Sequence, residues 1–182
     1  MRRTGGFDRP AVLVAPASAD QACAVLRDLA EPLSTWAVAQ GELDVIVDCG
    51  RLTPSPLTLS FLQRADRVLL VTRPWVDQLR PAARRIDALA TVGGDANLLL
   101  VGDDPYGPEE VASSLGVSVA GTVAWDPATA GALTGASVGG DLRRSALVRS
   151  AASLADLLTG QKSRPLEPSR KLSATVDEGV GS

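Results

Sequence analysis

Histidine is absent from this chain of 182 residues. That single absence removes Ser-His-Asp and Cys-His catalysis and most transition-metal sites. Cysteine occurs only as Cys23 and Cys49. Their spacing fits no zinc motif, and both are expected to be reduced, buried small hydrophobes. Aromatic residues make up only 3% of the chain, so Ala, Val and Leu must fill the core and helices must pack closely on a sheet. Lysine is confined to Lys162 and Lys171. No apolar run approaches the roughly 20 residues of a membrane span. The start, Met1-Arg2-Arg3-Thr4-Gly5-Gly6, has no apolar segment behind its basic residues, so no signal peptide is read. A net charge of −3 gives no push towards nucleic acid or acidic lipid. A cytoplasmic protein is expected.

What is present is a set of short apolar runs bounded by turn residues. The central one is Asp44-Val45-Ile46-Val47-Asp48-Cys49-Gly50-Arg51. Its length and boundaries predict a strand buried on both faces, with Asp48 at its carboxyl end. In open α/β sheets that edge is where ligands bind. Four further runs predict strands: Ala11–Ala15, Val68–Thr72, Asn97–Val101 and Val117–Ala124.

Helical periodicity separates these runs. Ser18 can cap a helix from Ala19, with Ala22, Val25, Leu26, Leu29 and Ala30 on one face. Pro32 is expected to end or kink it, leaving a second short helix over residues 33–40. Further helices are expected over Leu57–Ala65, from Val76 to about Ala90, from Pro108, over Pro127–Leu133 with Asp126 as cap, and over Leu142–Leu158. In the last, Leu147, Ala151, Leu154, Leu157 and Leu158 are expected to face inward. Strands alternating with helices predict an α/β fold: a mostly parallel sheet of about five strands with helices on both faces, over residues 1–160. Residues 161–182 carry scattered charge and few large apolar groups, and are expected to be a disordered tail.

In order, residues 44–158 resemble the carboxyl-terminal half of a MinD/ParA-type (SIMIBI) P-loop ATPase. DVIVDCGR resembles the Walker B and switch II segment. LTLSFLQRADRVLLVTRP resembles the helix, Ala-Asp pair and apolar strand that follow it. EEVASSLGVSVAGTVAWDP and RSALVRSAASLADLL resemble the later helix, strand, acidic loop and final helix. The nearest likeness is to degenerate MinD-like proteins of actinobacteria, whose Arg-rich, Lys-poor usage this chain shares, and to the TadZ/CpaE group associated with Flp/Tad pili.

The resemblance implies a truncated P-loop NTPase-like fold, an ATP-binding ancestry with ATP and magnesium as cofactors, and a role in chromosome partitioning or positioning. It also implies Asp48 as the Walker B-type acid and magnesium-side carboxylate, with Gly50 and Arg51 in switch II. Gly102, Asp103, Trp125 and Asp126 match two loops that contact the base. Trp125 could stack on a purine or cover the sheet's end. Arg73 and Trp75 share that edge as loop packing.

One part of the family's machinery is missing. A phosphate cradle needs a Gly-rich loop with Lys and Ser/Thr, and no G-x-x-x-x-G-K-[ST] occurs in this chain. The chain is therefore expected to be either a fragment or mis-started product, or a remnant that lost the ATPase half, and alone is expected not to hydrolyse ATP. The alternative is a non-catalytic scaffold that pairs with a partner ATPase or a pilus component. ParA-type ATPases dimerise through their nucleotide faces, so the expected partner is another protein or a second copy. Arg80, Arg84 and Arg85 are expected to be a solvated helix face rather than a DNA-binding strip. A receiver-like reading of Asp48 lacks the needed acidic pair and late lysine.

Overall fold

The computed structural model describes residues 11–14, 16–41, 43–51, 57–91, 96–135 and 142–160. The expected tail beyond Gly160 lies outside them. The chain divides into two compact units, Met1–Ala65 and Asp66–Ser182, each taken here by itself.

In the first unit, helix α1 (Ala19–Val38) begins after Ser18, whose carbonyl accepts from Ala22 N–H but whose hydroxyl makes no cap bond. Pro32 neither ends nor divides it, contrary to the expected break. Proline has no N–H for the helix ladder, but the next turn adds two side-chain bonds. Ser34 Oγ and Thr35 Oγ1 both donate to the Glu31 carbonyl, at 2.8 and 3.0 Å. Helix α2 (Leu59–Arg64) lies against α1. Leu62, Ala30 and Ser34 are buried there, and Arg64 forks onto Glu31. That pair is exposed and adds little stability.

Two expected strands are corrected. Residues 11–14 and Asp44–Asp48 join no ladder among the described residues, and both are exposed rather than buried. Leu13 is 83% exposed and Ile46 94%. An apolar run becomes a buried strand only when neighbours pair with its backbone and helices cover its faces, and neither holds here among the described residues. Cys23 is also exposed, not buried.

The second unit is built on a parallel sheet of three strands, β1 (Val68–Thr72), β2 (Ala96–Val101) and β3 (Val119–Val123), in the order β1-β2-β3. The α/β class stands, with three strands in place of about five. Helix α3 (Val76–Thr91) connects β1 to β2, and α4 (Pro108–Leu115) connects β2 to β3. Both pack on the face that carries Leu98 and Leu100, with Leu79, Ala82 and Val111 completing the core. Leu98 and Leu100 are fully buried.

Helix α4 has Pro108 in its first turn with Glu109 and Glu110, and ends at Gly116 with φ 65°. After β3 come α5 (Pro127–Leu133), a short 3-10 turn (Leu142–Arg144) and α6 (Ala146–Gly160). Helix α6 covers the other face at β3, where a Cβ on Gly121 would meet Leu154 Cδ1 at 2.9 Å. Of the five α6 residues expected inward, Leu154 is buried but Ala151 and Leu157 are exposed. Val71, in register with Leu99 on this same face, is 59% exposed.

Leu98→Ala leaves a void between β2, α3 and α4. It is expected to lower stability by about 2–5 kcal/mol, read as a fall in the urea midpoint with the denaturant slope unchanged.

Candidate functional site

In a parallel sheet, all strands end at the same edge. The segments that leave β1, β2 and β3 are Arg73-Pro74-Trp75, Gly102-Asp103 and Ala124-Trp125-Asp126. Each is placed by its strand. Arg73 N–H donates to Gln78 Oε1 at 3.3 Å, and Trp75 O accepts from Gln78 and Leu79 N–H, so this turn leads directly into α3. Gly102 N–H donates to Val123 O at 2.8 Å, which joins the ends of β2 and β3. Gly102 has φ 84°, a backbone region that suits glycine. Ala124 N–H donates to Ser150 Oγ at 2.9 Å, which pins the third segment to α6.

Asp126 caps α5 as its sequence position predicts. Oδ1 accepts from Thr129 N–H at 3.0 Å, and Oδ2 from Thr129 Oγ1 at 2.7 Å. These two bonds hold its carboxyl below the usual carboxylate range, with a further contribution from Leu147 N–H that opposes the effect of burial. Both oxygens are therefore engaged within the cap. Asp103 is exposed, and the following Asp104–Pro105 peptide is cis.

The structure brings three of these side chains together. The Arg73 guanidinium carbon lies 3.6 Å from the centre of the Trp125 ring and 4.9 Å from that of Trp75. Neighbouring strands are about 4.8 Å apart, so β1 and β3 are separated by about 10 Å. Arg73 reaches over the end of β2, where Gly102 has no side chain in the way. The sequence reading took Arg73 and Trp75 as loop packing, left Trp125 between stacking on a purine and covering the sheet's end, and missed the stack. The available signal was the position of Arg and Trp directly after two strands flanking a strand that ends in Gly.

In the first unit, Asp48, Gly50 and Arg51 lie together in one turn. Asp48 Oδ1 accepts from Gly50 N–H at 2.8 Å, and Gly50 has φ 61°. This is an Asx-type turn, in which the carboxylate orders its own loop. Arg51 is exposed. Burial pushes the Cys49 thiol up; a hydrogen bond with the Thr58 hydroxyl partly offsets this, and the Asp48 charge adds to the rise.

Among solved structures, the chain is similar to the cell division ATPase MinD of Pyrococcus furiosus. The TM-score is 0.62 at 20% sequence identity, over 80% of this chain and 63% of that one. The fold is MinD-like. Identity at this level speaks for the fold alone. No family model matches the chain, and no curated protein matches it.

A MinD-like fold raises the question of whether these residues suit a metal. Among the described residues, no three acidic, Cys or His groups converge. Asp48 supplies one carboxylate, already bonded to its own turn. Magnesium is held by one or two carboxylates together with substrate phosphates, and the sequence offers no phosphate cradle. The described residues do not by themselves constitute a magnesium site. Arg80 and Arg84 are exposed on α3, as expected of a solvated face, while Arg85 is half-buried. No described helix is long and apolar enough to cross a membrane.

Two outcomes test these environments. Iodoacetamide at neutral pH is expected to modify exposed Cys23 before Cys49, whose thiol is half-buried and harder to ionise, as read by peptide mass spectrometry over time. Asp126→Ala is expected to lower the thermal midpoint at pH 7. The carboxyl is depressed in the folded state, so its contribution is complete above the ordinary value near 3.9 and is lost as pH falls through the folded-state value. The gap between wild type and Asp126→Ala should therefore close in acid, while Asp126→Asn, which can still cap, should narrow it at pH 7.

Proposed function

We propose that this chain is a MinD/ParA-like, ATPase-related protein of the partitioning or positioning class, cytoplasmic, that does not hydrolyse ATP by itself. The observation that carries the reading is the similarity to the cell division ATPase MinD across 80% of the chain. The linear order of motifs from Asp44 to Leu158 agrees with it. By that resemblance Asp48, Gly50 and Arg51 keep the position of a phosphate- and metal-side loop, with Asp48 in the Walker B place. Gly102, Asp103, Trp125 and Asp126 keep that of base-side loops. Residues 1–160 would then be one α/β domain, nearest to the degenerate actinobacterial or TadZ/CpaE-like members.

Local chemistry supports an inactive version. Asp48 orders its own turn, Asp126 is occupied as a helix cap, and one face of Trp125 is covered by Arg73. Catalysis of phosphoryl transfer is mostly positioning and charge stabilisation, and no G-x-x-x-x-G-K-[ST] motif occurs in the chain to supply either.

A second reading, a scaffold that docks on a partner ATPase, a pilus component or a second copy, is favoured by the apolar surface of the first unit. Val12, Leu13, Val14 and Ile46 are each more than three-quarters exposed. Runs of this kind favour association.

The test is a titration of the purified chain with a fluorescent ATP analogue and magnesium, beside a phosphate-release assay. The expected result is no phosphate release above buffer and a Kd weaker than about 100 μM, about −5.5 kcal/mol. Release that Asp48→Ala abolishes would sink the non-hydrolysing assignment.

A further inference from the structure

The stack at the carboxyl edge has a chemical property that neither the fold nor the base-side loops account for. A guanidinium whose carbon lies 3.6 Å from a ring centre has its face against that ring. Trp75 approaches the same group at 4.9 Å. One face of Arg73 is thus covered by Trp125, with Trp75 near the same group, and its N–H donors, which lie in the guanidinium plane, remain at the rim. No carboxylate among the described residues pairs with them. The nearest acid in sequence to the stack, Asp126, has both oxygens on Thr129.

We propose that Arg73, held by Trp75 and Trp125, is a recognition site for a carboxylate. Stacking fixes the guanidinium plane before any ligand arrives, so less freedom is lost on binding. The Trp125 ring keeps water from the face that it covers, which strengthens a charge-assisted fork at the edge. A planar carboxylate matches two parallel N–H donors. It also brings a single negative charge to an edge that already carries Asp103 and Asp104, where a multiply charged phosphate would meet more repulsion. Trp75 and Trp125 are 43% and 56% exposed, leaving an apolar collar for the carbon stem of an acid. Gly102 keeps the space between the strand ends open, because its φ of 84° disfavours any side chain there. The site does not depend on nucleotide binding.

Tryptophan fluorescence gives a direct readout. Trp36 is the remaining tryptophan, so a Trp36→Phe background isolates the two indoles of the stack. The probes are acetate, for a free acid, and an N-acetylated, C-amidated Gly-Glu-Gly peptide, for a protein-borne one; each carries one negative charge. Sodium pyrophosphate and sodium chloride at matched ionic strength are the comparisons. A saturable change is expected with a carboxylate probe, and the tighter of the two identifies the source. Arg73→Gln should abolish the change. Arg73→Lys, which keeps the charge but not the planar fork, should weaken it by about fivefold or more, and it carries the test should Arg73→Gln fail to fold by circular dichroism. The proposal is overturned by no response to either acid, by an equal response to chloride, by tighter binding of pyrophosphate, or by an Arg73→Lys protein that binds as wild type does.

Discussion

The second unit depends on the burial of β2. Leu98 and Leu100 point from the central strand into the layer formed by α3 and α4, and no described residue of the hydrophobic core is more completely removed from water. Parallel strands cannot be joined by a tight turn, so each must be followed by a return segment. Here both returns are helices on the same face. That arrangement makes one face thick and leaves the other to α6, which reaches β3 but leaves Val71 on β1 exposed. The same constraint gathers the carboxyl ends of all three strands, and with them Arg73, Trp75, Gly102 and Trp125. The packing of the core thus decides which side chains meet at the edge.

Helix ends and strand limits in this unit follow local rules, and these were legible from residues alone. Val68–Thr72 is flanked by Asp66-Arg67 and Arg73-Pro74, and the strand matches its expected limits. Asp126 before Pro127 has the form of a capped helix start, and the cap forms. Pro108 with two glutamates and Gly116 bracket α4 in the same way. Burial is different, because it depends on what lies opposite. Val45-Ile46-Val47 has the same composition as a buried strand, but no periodicity within it reports whether a neighbour is present. Pro32 misled for a related reason: the missing N–H is local, whereas the helix that continues through it packs on α2.

The loops that follow β2 and β3 were legible in position but not in their contacts. Gly102, Trp125 and Asp126 follow those strands, whereas Asp48 and Gly50 lie in a turn that follows no strand among the described residues. What the residues do there is set by their nearest partners. Two carboxylates that could have faced a ligand are engaged in ordering the backbone, one through Gly50 and one through Thr129. Asp103 and Asp104 are exposed at the edge of the second unit, and the cation brought to the same edge is Arg73. Side chains beyond strand ends combine across strands that are far apart in sequence, and a linear reading cannot pair them.

Gly102 gives the edge a further property. With no side chain at the end of β2, Arg73 can cross from the end of β1 to the Trp125 ring. Two hydrogen-bonded strand separations, about 10 Å, set the gap between those strand ends, and that repeat is common to all parallel sheets. Substitutions in the core can weaken or strengthen the unit without widening or narrowing this gap, so long as the three strands keep their register. The dimension of the clamp is therefore insulated from drift in the core, and its selectivity can change through Arg73 and the two indoles alone.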